Sequence, residues 1–182
     1  TLDFSSVDLG NGGNRVIVDL GLQKVSDDGY HNGATVVEDY VSEVEIIIGT
    51  TGDDNLYGDS NVNTLVGNAG ADTIYGREGA DSLDGGAGND SINGGDDIDI
   101  ILGGDGDDYL EGGVGNDIID AGADNDTVLG GTGDDTLTGG TGIDQLSYVS
   151  SLSSITVTLA DGSSNFGTIT STTEGNDKLL DH

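Results

Sequence analysis

The sequence predicts an all-β fold built by repetition, and three observations predict it. An uninterrupted run of nonapeptides fills the middle of the chain, from Gly49 to Ser147. Each nonapeptide offers a Gly-rich turn followed by a short apolar-centred strand. No stretch places apolar residues at the three- and four-residue spacing of an amphipathic helix.

The nonapeptides number eleven and cover 99 of the 182 residues. They read GTTGDDNLY, GDSNVNTLV, GNAGADTIY, GREGADSLD, GGAGNDSIN, GGDDIDIIL, GGDGDDYLE, GGVGNDIID, AGADNDTVL, GGTGDDTLT and GGTGIDQLS. Position 1 is Gly in ten repeats and Ala121 in the other. Position 4 is Gly in eight, and its exceptions are Asn61, Asp97 and Asp124, the residue types that best tolerate the left-handed region a tight turn demands. Position 6 is Asp in ten repeats: Asp54, Asp72, Asp81, Asp90, Asp99, Asp108, Asp117, Asp126, Asp135 and Asp144. Asn63 takes that place in the remaining repeat. Position 8 is aliphatic throughout: Leu56, Leu65, Ile74, Leu83, Ile92, Ile101, Leu110, Ile119, Val128, Leu137 and Leu146. Strand alternation turns that residue inward and its two neighbours outward.

Composition excludes several functions. The chain carries 35 Asp plus Glu against four Lys plus Arg, a formal net charge of −31. It therefore lacks the cations that neutralise phosphates, and neither nucleic acid nor an anionic membrane surface is an expected partner. Without Cys there is no disulfide, thiolate metal site or Cys nucleophile. No aliphatic run is longer than Ile46–Ile48, so no segment is expected to insert into a membrane. High Gly, few aromatics and a large charge suit either a disordered chain or one folded by multivalent cations. The eleven-fold register of position 8 decides for the second. One buried aliphatic in nine cannot by itself offset the cost of ordering nine residues. Stacked aspartates about 4.8 Å apart, the spacing of neighbouring strands, also need counterions between them. Calcium, which takes six to eight oxygens, meets both demands.

Repeats such as GGAGNDSIN, GGVGNDIID and GGTGDDTLT match G-G-x-G-x-D-x-U-x at every defined position. In this the block resembles the RTX (repeats-in-toxin, hemolysin-type) calcium-binding repeat. The resemblance implies a right-handed parallel β-roll with two nonapeptides per coil. The first six residues of each repeat would turn and bind calcium, and the last three would form a strand. Alternate repeats then stack, so one ladder carries Asp54, Asp72, Asp90, Asp108, Asp126 and Asp144, and the other Asn63, Asp81, Asp99, Asp117 and Asp135. The resemblance places one ion between each successive pair, held by both carboxylates and by turn carbonyls. The glycines offering carbonyls are Gly70, Gly79, Gly86, Gly88, Gly95, Gly104, Gly106, Gly113, Gly115, Gly122, Gly131 and Gly133. Five gaps plus four give at most nine ions. The gaps nearest the N-terminal end, above all Asn63 to Asp81, are expected to be weak or empty, because Asn63 is neutral and position 2 is Thr50, Asp59, Asn68 and Arg77 in the first four repeats. Affinities of about 10⁻⁴–10⁻³ M are expected, as for other extracellular calcium modules.

Residues 1–48 and 148–182 read as β-rich caps or linkers around the roll of residues 49–147, and they resemble each other. Leu2-Asp3-Phe4-Ser5-Ser6 corresponds to Leu146-Ser147-Tyr148-Val149-Ser150, Val16–Leu20 to Ile155–Leu159, and Asp39-Tyr40-Val41 to Asp177-Lys178-Leu179. Ile47 falls in register with position 8. The offset from Leu2 to Leu146, 144 residues, suggests one unit of a tandem array; the alternative is a pair of generic caps. Val16–Leu22 and Ser154–Leu159 read as half-buried strands, Asp27–Gly33 and Asp161–Gly167 as loops. No element is assigned over Val36–Val44.

Catalytic constellations are not expected. His31 and His182 have no Ser or Asp at a recognisable spacing. Asp53-Asp54, Asp107-Asp108 and Asp134-Asp135 recur at period nine, which suits ligation better than an acid–base dyad. Position 5 varies among Asp, Asn, Ala, Val and Ile and is no obligatory ligand; Asp96, Asp105 and Asp124 are candidates for an added local carboxylate. Tyr57, Tyr75 and Tyr109 suit packing on a strand face, with glycan stacking as the alternative.

The expected function is a non-catalytic, calcium-binding structural domain of a secreted or cell-surface bacterial protein, such as an adhesin, surface layer or filament. It would stay unfolded in a low-calcium cytoplasm and fold outside. The resemblance implies export by a one-step (type I) secretion system. The expected partners are calcium and tandem copies of the unit, or further copies through self-assembly. The alternatives are a carbohydrate-binding accessory module, as in proteins similar to mannuronan C5-epimerases, with an extracellular glycan as partner, and a domain flanking a toxin or protease.

Overall fold

A computed structural model describes residues 1–3, 16–21, 24–27, 39–40, 44–148, 156–158, 169–171 and 178–180. Among these residues every regular element is a strand, so none is a helix that could cross a membrane. The strands wind into a parallel β-roll whose two sheets face each other. In spatial order the first sheet holds Leu2–Asp3, Ile46–Ile48, Thr64–Ala69, Ser82–Ala87, Ile100–Asp105, Ile118–Ala123, Thr136–Thr138, Thr156–Thr158 and Lys178–Leu180. The second holds Ile169–Ser171, Gln145–Tyr148, Thr127–Thr132, Tyr109–Val114, Ser91–Asp96, Thr73–Glu78, Asn55–Tyr57, Val16–Asp19, Lys24–Asp27 and Asp39–Tyr40.

The register repeats every 18 residues, two nonapeptides per coil. Leu65, Leu83, Ile101, Ile119 and Leu137 pair in turn across the first sheet. Leu56, Ile74, Ile92, Leu110, Val128 and Leu146 do so across the second. Ile47 opposes Leu65 and Leu2 opposes Ile47, which extends the first row, and Val18 opposite Leu56 extends the second. These rows meet between the sheets as one narrow core, each of its repeat aliphatics at most 3% exposed.

Two details of the repeat differ from expectation. In the regular coils a strand runs six residues, not three: Thr73–Glu78 covers positions 7 to 9 of one repeat and 1 to 3 of the next. The ladder skips position 1 and resumes at positions 2 and 3, as in Gly95 opposite Gly113 and Asp96 opposite Val114. The turn proper thus shrinks to positions 4 to 6. From the third repeat onward the left-handed region is used twice per turn, at positions 2 and 4, with Gly115 the exception. At Gly104 and Gly106 φ is 118° and 126°, and a Cβ would strike the carbonyls of Gly86 and Gly88 in the coil before. Asp97 and Asp124 adopt left-handed φ at position 4 as expected, but Asn61 does not. Its N–H is instead drawn to Asp59 Oδ1 at 2.8 Å, which folds the second turn differently.

Outside the repeats, Val16–Asp19 runs parallel to Asn55–Tyr57 and antiparallel to Lys24–Asp27, which pairs antiparallel with Asp39–Tyr40. Asp27, expected in a loop, therefore ends a strand that the sequence did not reveal. Thr156–Thr158 pairs with Thr136–Thr138, where a strand was expected. The loops at 28–33 and 161–167, and both His31 and His182, lie outside the described residues.

Candidate metal centre

Alternation places positions 6, 8 and 1 on the inner face of each strand and turn. The aspartates of position 6 are therefore buried beside the core, and nine of the ten, Asp54 to Asp135, are at most 3% exposed. A carboxylate taken out of water is costly unless both oxygens find partners. One of them does. The Asp99 N–H donates to Asp117 Oδ1 at 2.9 Å, and the same bond joins each position-6 N–H to the side chain 18 residues on. Nine such bonds, 2.6–3.1 Å long, run from Asp54-to-Asp72 up to Asp126-to-Asp144.

The other oxygen is left over. Among the described residues no donor reaches Oδ2 of Asp72, Asp81, Asp90, Asp99, Asp108, Asp117 or Asp126. Each lies against the Cα of the position-1 residue of its own repeat, next to the position-1 carbonyl of the following coil. A Cβ placed on Gly76 would sit 2.5 Å from both Asp81 Oδ2 and Gly94 O, and one on Gly112 would sit 2.5 Å from both Asp117 Oδ2 and Gly130 O. Ala121 alone carries a real methyl at this position, buried in the core. The carbonyls of positions 2 and 4 also face the gap above them, as Gly86 O does toward Gly104 and Gly88 O toward Gly106.

The electrostatics say what is missing. Burial, reinforced by neighbouring aspartates, pushes the carboxyls of Asp72, Asp90, Asp99 and Asp126 up to about 7, although each accepts a backbone hydrogen bond that lowers it. Burial likewise raises Asp81, Asp108 and Asp117 to about 6, and raises Asp135 and Asp144. The rows need positive charge, and they offer only oxygens, the donor set of a hard cation. Among the described residues no three His, Cys, Asp or Glu side chains converge, so carbonyls must complete any coordination shell. Within those limits the residues fit calcium.

A family model described as the RTX calcium-binding nonapeptide repeat (4 copies) matches residues 42–65, 57–92, 84–119, 93–128 and 111–146. The chain belongs to the RTX calcium-binding repeat family. No curated protein matches it. The RTX repeats make this a calcium-binding repeat domain, and the buried aspartate rows are what that family's repeat leads one to expect.

The expected glycines all fall at positions 2 or 4 of the RTX turns, and among them Gly115 alone lacks a left-handed φ. Asp54 joins the row but differs from it, since its Oδ2 accepts the Thr50 N–H and hydroxyl. Asp96, Asp105 and Asp124 are exposed and add no carboxylate to the buried rows. Tyr57 and Tyr75 stack on each other with centroids 5.4 Å apart, and Tyr75 and Tyr109 are both exposed. Two groups escaped the sequence reading. Position 5 forms an outer hydrogen-bonded row, for instance Asn125 N–H to Asp107 Oδ1 at 2.9 Å, whose only signal was a bias toward Asn and Asp. Asn68 and Arg77 hold left-handed φ at position 2 and bond across coils, where the sequence suggested mere departures from Gly.

Proposed function

We propose that this RTX domain is a non-catalytic unit that folds on binding calcium outside the cell and serves as a rigid element of a bacterial adhesin, surface layer or filament. The observation that carries the proposal is the row of buried aspartate oxygens with no donor, present in seven of the nine gaps. The ligands would be Oδ2 of Asp72, Asp81, Asp90, Asp99, Asp108, Asp117 and Asp126, with Asp135 and Asp144 closing the two rows. Carbonyls at positions 2 and 4, among them Gly70, Gly79, Gly86, Gly88, Gly95, Gly104, Gly106, Gly113, Gly115, Gly122, Gly131 and Gly133, would complete the shells. When bound, calcium supplies the positive charge that the rows lack and a demand for six to eight oxygens.

The chain's own groups do the rest. Each position-6 N–H fixes the next carboxylate in the row by its Oδ1, which leaves Oδ2 directed at the gap. Each position-8 aliphatic keeps water from the inner side. The left-handed residues at positions 2 and 4 let successive turns approach until carbonyl meets Cα. With its rows uncompensated, a chain of net charge −31 favours the expanded state, so ion binding becomes folding free energy. Such coupling suits export in an unfolded form and stiffening on arrival. Circular dichroism of the chain with millimolar calcium and with a chelator is the test. Strand content is expected to collapse in the chelator; equal strand content in both would sink the reading.

A further inference from the structure

From Asp72 upward, every gap with a coil above it receives a buried Oδ2 without a donor, and the two gaps below do not. At the first, Asp54 Oδ2 accepts the N–H and the hydroxyl of Thr50 in its own turn. At the second, the neutral Asn63 offers Oδ1 to the Asp59 N–H at 2.8 Å, and its buried Nδ2, a donor without an acceptor, adds no ligand for a cation. Two position-1 carbonyls on the N-terminal side of these gaps, those of Gly49 and Gly58, are taken as well. A position-1 carbonyl faces the coil before it, as Gly67 O lies beside Asp54 Oδ2, but no nonapeptide precedes Gly49. Asn68 Nδ2 donates to Gly49 O at 2.9 Å, and Arg77 Nη1 donates to Gly58 O at 2.7 Å. Both donors reach back 19 residues from position 2, where the later repeats have Gly.

Arg77 holds a φ of 85°, a strained backbone for an arginine, and its guanidinium makes three hydrogen bonds. Asp19, in the strand that precedes the repeats, meets Nη1 at 2.8 Å and Nη2 at 3.0 Å. The guanidinium also lies 5.6 Å from the centroid of Tyr57, which stacks on Tyr75. One side chain thus ties three successive levels of the second sheet, with a positive charge on a carbonyl of the kind that elsewhere faces an aspartate.

We propose that the N-terminal end of the roll is a metal-free cap, in which Thr50 occupies the oxygen facing the gap Asp54 to Asp72, the neutral Asn63 leaves the gap Asn63 to Asp81 without an anionic oxygen of its own, Arg77 supplies a cation at Gly58 O and Asp19, and the domain takes seven calcium ions. This rests on the calcium reading above, and the outcomes separate the two. Native mass spectrometry of the full chain in calcium should count seven ions. No bound ion at all would sink the calcium reading, while any other non-zero count overturns the metal-free cap. Hydrogen exchange in chelator gives the second measurement. Amides of Asn55–Tyr57 and Thr73–Glu78 should stay more protected than those of Tyr109–Val114. In Arg77→Gly, where glycine relieves the backbone strain, that extra protection should be lost while the count in calcium stays at seven. Unchanged protection in Arg77→Gly would overturn the cap, because it would leave the guanidinium without a holding role.

Discussion

Two rows of Asp and Asn run along the roll, one residue apart in sequence, and they do opposite things. In the inner row, position 6, each N–H donates forward to the side chain 18 residues on, as Asp90 does to Asp108 at 2.8 Å. In the outer row, position 5, the N–H donates back to the side chain 18 residues before wherever that side chain is Asp or Asn. Asp107 gives to Asn89 at 3.2 Å, Asn125 to Asp107 at 2.9 Å, and Ile143 to Asn125 at 3.1 Å. The inner side chains are buried and keep one oxygen beyond what the backbone uses. The outer ones are exposed, and water serves whatever the ladder leaves over. An amide therefore works as well as a carboxylate outside, but only a carboxylate provides both the hydrogen bond and the spare anionic oxygen inside. This difference explains why position 6 is Asp in ten repeats while position 5 varies.

The comparison breaks most visibly at Asp99. Asp99→Asn keeps the acceptor for the Asp81 N–H but removes the spare anionic oxygen. The apparent calcium affinity of the folding transition should fall at least about tenfold, since even indirect partners of metal ligands are worth about 10–100-fold. Asn116→Asp, the outer counterpart, should leave the transition nearly in place. A calcium titration followed by circular dichroism measures both, and equal shifts in the two variants would erase the distinction between the rows.

Acidity separates the rows next. Inner carboxyls held near 6 to 7 in the folded chain bind more protons than the same residues unfolded, whose ordinary value is 3.8. The folded form thus gains stability as pH falls from about 7 toward 4, and loses it as pH rises through the folded values. In chelator, strand content should be higher at pH 4 than at pH 7.5, with its midpoint near 6. A midpoint near 4 would assign the effect to ordinary exposed carboxylates instead.

The inner row and its register were legible in the sequence because burial enforces them: a slip of one residue at Ile101 or Asp99 would expose the core and bury the wrong side chain. The left-handed turn at position 4 was legible through the restriction to Gly, Asn and Asp, although Asn61 shows that an adjacent Asx hydrogen bond can override it. The strand continuing through positions 2 and 3 was not legible, because there the pairing is made by backbone groups of residues such as Gly95 and Gly113. Arg77 read as decay of the motif because its partners, Asp19 and Gly58, lie 58 and 19 residues away. Lys24–Asp27 pairs with Val16–Asp19 as a hairpin, yet its residues carry no clear alternation of apolar and polar.

The outer row itself can be broken at Asn125, which accepts the Ile143 N–H and donates through Nδ2 to Asp107 at 3.1 Å. Asn125→Ala removes both bonds at an exposed site, where the N–H left behind can turn to water. The expected loss in calcium-saturated stability is about 1 kcal/mol, that of an ordinary hydrogen bond. Urea unfolding in saturating calcium measures it, and a loss as large as that of Ile101→Ala, about 2–5 kcal/mol, would mean that the outer row carries core-like weight.

The smallest effect is expected at Asp107→Asn, directly beside the inner residue Asp108. Asparagine keeps the Oδ1 that accepts the Asn125 N–H, so the outer ladder survives. Burial raises Asp108 most and the Asp107 charge adds to it, so Asp108 should titrate lower in the variant. Less repulsion helps the row fold, while less negative charge weakens its pull on calcium, and the two changes oppose each other. Calcium-saturated stability should stay within about 0.5 kcal/mol of the parent, the usual range for a surface substitution. Asp108→Asn, one residue further along, should behave like Asp99→Asn. If the two neighbours instead gave equal shifts of the calcium midpoint, position 5 would have to contribute a ligand of its own.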